Sequence, residues 1–207
     1  MSKNRKNKFK IYTDGSCDNI VFPNYGGWAY LILENDVEIE QKSGYSIHTT
    51  NNRMELTAII ESIKELPEGS KVEIITDSKY CIGVLAGGYK AKVNQDLIAE
   101  FATIAEDKNL HIFFSWVKGH SGDKYNEIVD KLSNAEYEKA SGRKVTDIEQ
   151  FKNDKGYRKK IYSEGDNEIK KLIAETLKEA IDKNVPKGNN YINEKVEYIY
   201  KLLKLAR

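Results

Sequence analysis

Four carboxylates in this chain stand where the surrounding pattern has no structural need of a charge. Asp14 ends the run Phe9-Lys10-Ile11-Tyr12-Thr13, and Asp77 ends the run Val72-Glu73-Ile74-Ile75-Thr76; both runs suit β-strands. Glu55 opens a helical pattern and Asp130 lies inside a later one. A carboxylate at the end of an apolar strand has left the core pattern, and it needs a partner because an unpaired buried charge is costly. Acids delivered from four separate elements can converge on one point. There they repel and raise one another's pKa unless a cation sits between them. An oxygen-rich, sulfur-free set favours hard ions such as Mg²⁺ or Mn²⁺. Two such ions about 3.5–4 Å apart can activate water on one side of a phosphodiester and stabilise the leaving oxygen on the other. Taken singly, each acid is better explained as a helix cap or a surface charge; their conjunction is what points to chemistry. His120, in the glycine-flanked stretch Lys118-Gly119-His120-Ser121-Gly122, adds a candidate proton shuttle beside such a site.

The elements that must position these groups can be read in order. Residues 8–14 form a first strand. Gly26 to Leu33 is a nearly continuous apolar run suited to a buried strand, and Val37 to Tyr45 is a partly alternating third. Short turns between them, such as Glu34-Asn35-Asp36, predict an antiparallel meander. Asn51 or Asn52 can cap the helix whose Leu56, Ile59, Ile60 and Ile63 face the core. Val72–Thr76 follows as a fourth strand, and a strand–helix–strand crossover predicts parallel pairing. A short helix after Asp77, a helix from Asn94 to Asp107, a fifth strand over Leu110–Val117 and a helix from Lys124 to Ala140 complete the body. The fold class is α/β, a mixed five-stranded sheet with helices on both faces. Trp116 is expected in the core rather than as a base-stacking platform.

Beyond Gly142 the pattern changes. Ile169, Leu172, Ile173, Leu177, Ala180 and Ile181 make one amphipathic stripe, and Val196, Ile199, Tyr200 and Leu203 a second. The expected organisation is a basic tail over 1–7, a catalytic body over 8–141 and a small helical appendage over 142–207, whose stripes pack together, pack on the body or mediate self-association. A net charge of +1 over 207 residues hides an asymmetry. Residues 142–207 carry 16 basic and 11 acidic side chains and residues 1–10 carry five basic ones, leaving 12 basic against 21 acidic over 11–141. An acidic body repels phosphates, so metal ions and basic ends would both aid a nucleic-acid partner. No run of 18 apolar residues predicts a membrane span. Cys17 and Cys81 cannot make a disulfide framework, and reduced thiols in a cytoplasmic protein are expected.

The segments Thr13-Asp14-Gly15-Ser16, Asn51-Asn52-Arg53-Met54-Glu55, Thr76-Asp77-Ser78 and Val117-Lys118-Gly119-His120-Ser121-Gly122, with Asn126-Glu127 and Asp130 after them, occur in that order. Together they resemble type 1 ribonuclease H over residues 8–141. The resemblance implies a ribonuclease H-like fold and an endonuclease that hydrolyses the RNA strand of RNA–DNA hybrids with two Mg²⁺ ions, leaving 5′-phosphate and 3′-hydroxyl ends. It implies that Asp14 bridges both ions, that Asp77 and Asp130 hold mainly one each, and that Glu55 binds one while sensing the RNA sugar. Asn51, Asn52 and Glu55 would read the 2′-hydroxyl, with Cys17 nearby. Thr50 and Asn94 would grip a phosphate of the DNA strand, with His48 where a more basic residue is common. The basic protrusion that many bacterial members insert after the second aspartate is missing between Asp77 and Asn94. The basic residues Arg143, Lys144, Lys152, Arg158, Lys159 and Lys160 are therefore expected to add substrate affinity. Integrases, transposases and junction resolvases share such an architecture, since fold alone does not fix function, and a catalytically silent hybrid-binding scaffold is the rival of another kind.

Overall fold

Apolar side chains on the first, second and fourth strands give the sheet two buried faces, and this sets where the helices must lie. The structure, a computed structural model, describes residues 8–18 and 24–145. Strands β1 (Lys8–Cys17), β2 (Tyr25–Glu34) and β3 (Val37–Ile47) form an antiparallel meander. The β2–β3 turn places Asn35 and Asp36 at φ 52° and 66°, the left-handed pair that a tight two-residue hairpin requires. Helix α1 (Asn51–Lys64) crosses to β4 (Lys71–Thr76), which pairs parallel with β1. Helices α2 (Lys79–Leu85) and α3 (Gln95–Asp107) lead to β5 (His111–Trp116), parallel to β4, and α4 (Lys124–Ser141) follows. The sheet order is β3-β2-β1-β4-β5, the expected mixed five-stranded sheet.

Phe9, Ile11, Tyr30, Ile32, Val72 and Ile74 turn to one face and pack against Leu56, Ile59, Ile60 and Ile63 of α1 and Phe101 of α3. Each of those α1 side chains is at most 1% exposed, and burial of one such side chain contributes about 1.5–3 kcal/mol. Tyr12, Ala29, Leu31 and Leu33 turn to the other face, where Val129 of α4 meets them. Helices thus cover both faces, as expected.

Several boundaries differ from expectation for reasons visible in the pairing. β1 does not stop at Asp14; it runs on to Cys17 because β2 continues alongside it, Cys17 opposite Gly26. Its parallel pairing with β4 ends earlier, at Tyr12 opposite Ile75. Asp14 therefore sits where one neighbouring strand has ended and the other has not. The cap of α1 is Thr50, whose hydroxyl accepts from Arg53 N–H, not Asn51 or Asn52, which lie in the first turn. Gly142, at φ 67°, closes α4 as a left-handed C-cap. Among the described residues no helix is long and apolar enough to cross a membrane. The tail over 1–7, the loop over 19–23, and the expected helices beyond residue 145 with their self-association lie outside the described residues.

Candidate active site

The carboxyl ends of parallel strands are where open α/β sheets offer a crevice, and here an acid lies two residues beyond the end of the β1–β4 pairing on each strand's chain. Asp14 lies on β1 beyond its parallel pairing, on the α4 face of the sheet; Asp77 follows β4 directly. Gly15 explains how Glu55 joins them. A Cβ on Gly15 would stand 2.3 Å from the Glu55 backbone nitrogen and 2.5 Å from the Met54 carbonyl carbon. Only a glycine lets α1 rest directly on β1 at Met54 and Glu55, and that contact brings the Glu55 side chain to the end of the sheet. Asp130, in the second turn of α4, arrives from the opposite face.

The four acids sense one another. Asp14 is pushed up to about 7, by burial first and then by the charges of Asp77, Asp130 and Glu55, although a Ser133 hydrogen bond pulls it down. Glu55 is also pushed up to about 7, by burial and by Asp77, with Ser78, Cys81 and Asn51 pulling the other way. Asp77 is raised by burial and by Asp130, while His120 opposes the shift. Neutral donors hold these carboxylates in place. The Ser133 hydroxyl lies 2.5 Å from Asp14 Oδ2. The Asn51 amide donates to Glu55 Oε1 at 2.8 Å, and Glu55 Oε2 accepts from the Ser78 hydroxyl and, at 3.8 Å, from the Cys81 thiol. Asn134 donates its amide to Asp130 Oδ1 at 3.2 Å. Crowded carboxylates with only neutral donors among them form a hard-ligand, all-oxygen set that a divalent cation would relieve. On that chemistry the residues present fit Mg²⁺ or Mn²⁺.

His120 occupies the rim. It is 79% exposed on its side chain, with Nδ1 4.0 Å from Asp130 Oδ2. Its backbone sits at φ 52°. The loop carrying it lies against Asp77, since a Cβ on Gly119 would stand 2.4 Å from Asp77 Oδ2. His120, Glu127 and Asp130 offer ligand atoms within 4.8 Å of one another. Glu127 has a place in the Asn126-Glu127…Asp130 segment but no role was read for it from sequence; its spacing of three from Asp130, one helical turn, was the available signal.

The expected substrate residues divide into two groups. Asn51 and Asn52 lie on the first turn of α1 beside Glu55, and Cys17, at the end of β1, points its thiol at the Thr49 carbonyl, 3.7 Å away. Thr50 and Asn94 are joined through Arg53: Thr50 caps its backbone N–H, and its guanidinium donates to Asn94 Oδ1 at 3.4 Å and pairs with Asp96 at 2.7 Å. Asn94 also donates to the Tyr80 hydroxyl at 3.0 Å. Arg53 is the organising residue of this second group, and sequence reading had left it unassigned. Trp116 departs from expectation. It is 49% exposed on the edge strand β5; its indole N–H donates to the Asp77 carbonyl at 3.0 Å and Lys79 lies over its ring. Arg143 departs as well, being paired at 3.2 Å with the buried Asp18 rather than offered to solvent.

An open mixed sheet with acids gathered at the carboxyl ends of β1 and β4, and a further acid brought from each face by a helix, defines the ribonuclease H-like class of nucleases. Comparison with known proteins narrows the class. Residues 6–138 match the family model for RNase H. A ribonuclease H from Campylobacter jejuni is 39% identical over 132 residues, covering 60% of this chain and 87% of the relative. One from a Polaromonas species is 37% identical over 147 residues, covering 65% and 91%. The solved structure of LC11-RNase H1 in complex with RNA/DNA hybrid matches with a TM-score of 0.55 at 25% identity, over 64% of this chain and 99% of that one. The N-terminal RNase H domain of a Mycobacterium tuberculosis protein shares the fold, with a TM-score of 0.56 at 20% identity over 66% and 97%. The chain belongs to the ribonuclease H family and is by that membership an endoribonuclease.

Proposed function

We propose that this protein hydrolyses the RNA strand of RNA–DNA hybrids with two divalent cations, Mg²⁺ in the first place, leaving 5′-phosphate and 3′-hydroxyl ends. The observation that carries the proposal is the burial of Asp14 and Glu55 together with their crowding against Asp77, which keeps both near 7 in the absence of a counter-charge. Such an arrangement is costly to fold and is accounted for if cations complete it. When bound, the ions would supply Lewis-acid stabilisation and an activated water.

The chain's own residues do the rest. Asp14, Glu55, Asp77 and Asp130 would hold the ions, with Asp14 central because it feels all three other acids. His120, exposed on the rim beside Asp130, would carry the proton between the site and bulk water. Asn51 and Asn52 lie in the first turn of α1 and Glu55 one turn on from Asn51, where one edge can meet the minor groove and its 2′-hydroxyls. Cys17 lies at the adjoining end of β1. Thr50 and Asn94, tied by Arg53, would hold a phosphate of the DNA strand. The hybrid found with LC11-RNase H1 supports this partner for the present chain. Residues 8–141 are proposed as the catalytic body, 1–7 as a basic tail, and 142–207 as an extension that adds affinity for the hybrid through its lysines and arginines and is a candidate for self-association. Cys17 and Cys81, neither of them in a disulfide, fit a reducing compartment such as the cytoplasm.

The test is cleavage of an end-labelled RNA–DNA hybrid with and without Mg²⁺, with double-stranded RNA and double-stranded DNA as controls. Metal-dependent cutting of the RNA strand of the hybrid alone is expected. Cutting of either control at a comparable rate, or no cutting, removes the proposal.

A further inference from the structure

Helix α4 brings one acid to the site, yet two of its other residues touch the acids as well. Ser133 and Asn134 follow Asp130 by three and four positions, one helical turn on, and both face β1. The Ser133 hydroxyl has one hydrogen and two acceptors within reach, Asp14 Oδ2 at 2.5 Å and the Asp130 carbonyl at 3.0 Å. A hydrogen bond to a carboxylate is shorter and about twice as strong as one to a neutral carbonyl, so the proton goes to Asp14. Asn134 extends the connection. Its amide donates to Asp130 Oδ1 at 3.2 Å, and its carbonyl accepts from the Ser16 hydroxyl at 2.6 Å. Ser16 is two residues beyond Asp14 on β1. Two strings of neutral hydrogen bonds thus run between β1 and α4, one ending on each acid.

Packing alone does not call for these groups. α4 crosses β2 so closely that a Cβ on Gly27 would stand 1.9 Å from the Ser133 carbonyl oxygen. That demands a glycine on β2 but no hydroxyl at position 133, where alanine would have a better helix propensity than serine. Ser133 is fully buried, and its hydroxyl is what alanine would lack.

We infer that Ser133 and Asn134 are positioning residues that hold Asp14 and Asp130 oriented for divalent-cation binding. The inference rests on the metal-dependent reading proposed above. A fixed carboxylate loses less orientational freedom when an ion arrives, and a donor on one oxygen leaves the remaining lone pairs directed at the cleft. Because the donors are uncharged, they steady the acids without occupying the place of a cation. Serine and asparagine give this bracing to two acids from a single helical turn, so α4 sets the spacing of Asp14 and Asp130 as well as supplying one of them.

The test uses the full chain and its Ser133→Ala, Asn134→Ala and Ser133→Thr variants. MgCl₂ is titrated into each by calorimetry, hybrid cleavage is followed against Mg²⁺ concentration, and melting is recorded in a chelator. Ser133→Ala is expected to weaken Mg²⁺ binding about tenfold, the lower end of what loss of a partner behind a metal ligand produces. The Mg²⁺ concentration for half-maximal cleavage should rise in step, while the KM for hybrid at saturating Mg²⁺ stays as in the parent. Asn134→Ala, at a less buried position, should shift Mg²⁺ binding in the same direction. Ser133→Thr keeps the hydroxyl and should restore affinity. A lowered melting temperature with unchanged Mg²⁺ affinity in both alanine variants would overturn the inference and show a purely structural role, leaving the proposed activity standing. A parent chain that cleaves hybrid without any metal would remove the proposed activity, and the inference with it.

Discussion

Asp14 and His120 belong to the same charge cluster but to different kinds of surroundings. Asp14 is recessed, bonded on one oxygen by Ser133 and surrounded by like charge; Glu55 beside it accepts from Asn51, Ser78 and Cys81. His120 is 79% exposed, with Asp130 as its nearest acid at 4.0 Å. The floor of the site is fixed by hydrogen bonds and carries unrelieved charge, whereas the rim is open to solvent and almost free of constraint. Groups that must hold ions in fixed geometry gain from the first arrangement, since pre-organisation lowers the cost of binding. A group that ferries protons gains from the second, because it must exchange with water.

Removing a charge from the floor breaks this contrast most sharply. Asp77→Asn and Asp14→Asn should each lower hybrid cleavage on the order of 10³-fold or more, the scale on which losing one member of a catalytic unit acts. The same variants should melt at a higher temperature than the parent in a chelator, because each removes a repelling charge. Activity and stability moving in opposite directions is the signature; near-normal cleavage by Asp77→Asn would end the assignment. At the rim the expectation is different. His120→Ala should lower kcat about 10²-fold while changing stability by no more than about 0.5 kcal/mol, as at other exposed positions. A turnover assay paired with urea denaturation checks both, and an unchanged kcat would remove His120 from the proton path.

Glycines probe the same difference at the level of the backbone. Gly15→Ala forces a methyl against the backbone of Met54 and Glu55, which cannot yield as a flexible side chain can. Overpacking of this kind costs about 1–3 kcal/mol, and it should also displace Glu55 and reduce cleavage. Gly122→Ala, on the rim, meets nothing within 4 Å and suffers only from its φ of +86°. Its cost should be about 1 kcal/mol. Denaturation midpoints that rank the two the other way would mean that α1 does not rest on β1 as described.

Legibility from sequence followed the same division. The meander, the crossover and the faces of α1 could be read because period-2 and helical repeats each bury one side, and Asp14 and Asp77 could be read because they end those repeats. The neutral donors could not. Ser78, Cys81, Ser133 and Asn134 reach the acids through tertiary contact, and a lone Ser or Asn in a helix carries no pattern that says what it touches. The residues 133 and 134 had one usable signal, their one-turn spacing from Asp130 on the side facing β1. Trp116 departs from expectation because an aromatic in a strand reads as core, and nothing local reveals that β5 is the edge of the sheet. Arg143 read as free basic charge because the sequence does not show that the chain brings Asp18 beside it.

The subtlest consequence of the floor's construction is a pH dependence that runs opposite to ordinary acid denaturation. Asp14 and Glu55 are raised to about 7 in the folded chain, from ordinary values of 3.8 and 4.5. Between those limits the folded state binds more protons at these two positions than the unfolded chain does. Stability must then fall as pH rises through the interval, with the full penalty present above about 7 and none below about 4. Asp96 and Glu138, held low by Arg53 and Lys144, act in the opposite sense, but both are surface groups and their contribution is lost only near and below their depressed values. A window from about pH 5 to pH 8 therefore isolates the floor. In a chelator the melting temperature should be higher at pH 5 than at pH 8, by about 3–4 °C, the shift that roughly 1 kcal/mol produces in a domain of this size. Saturating Mg²⁺ should flatten the slope by stabilising the folded state chiefly at the alkaline end, where the carboxylates are ionised and bind it best. Asp14→Asn should remove a large part of the slope without any metal. Melting curves recorded across the window for parent and variant, with chelator and with Mg²⁺, check all of this; a metal-free protein that grows more stable from pH 5 to pH 8 would show that its acids are not crowded.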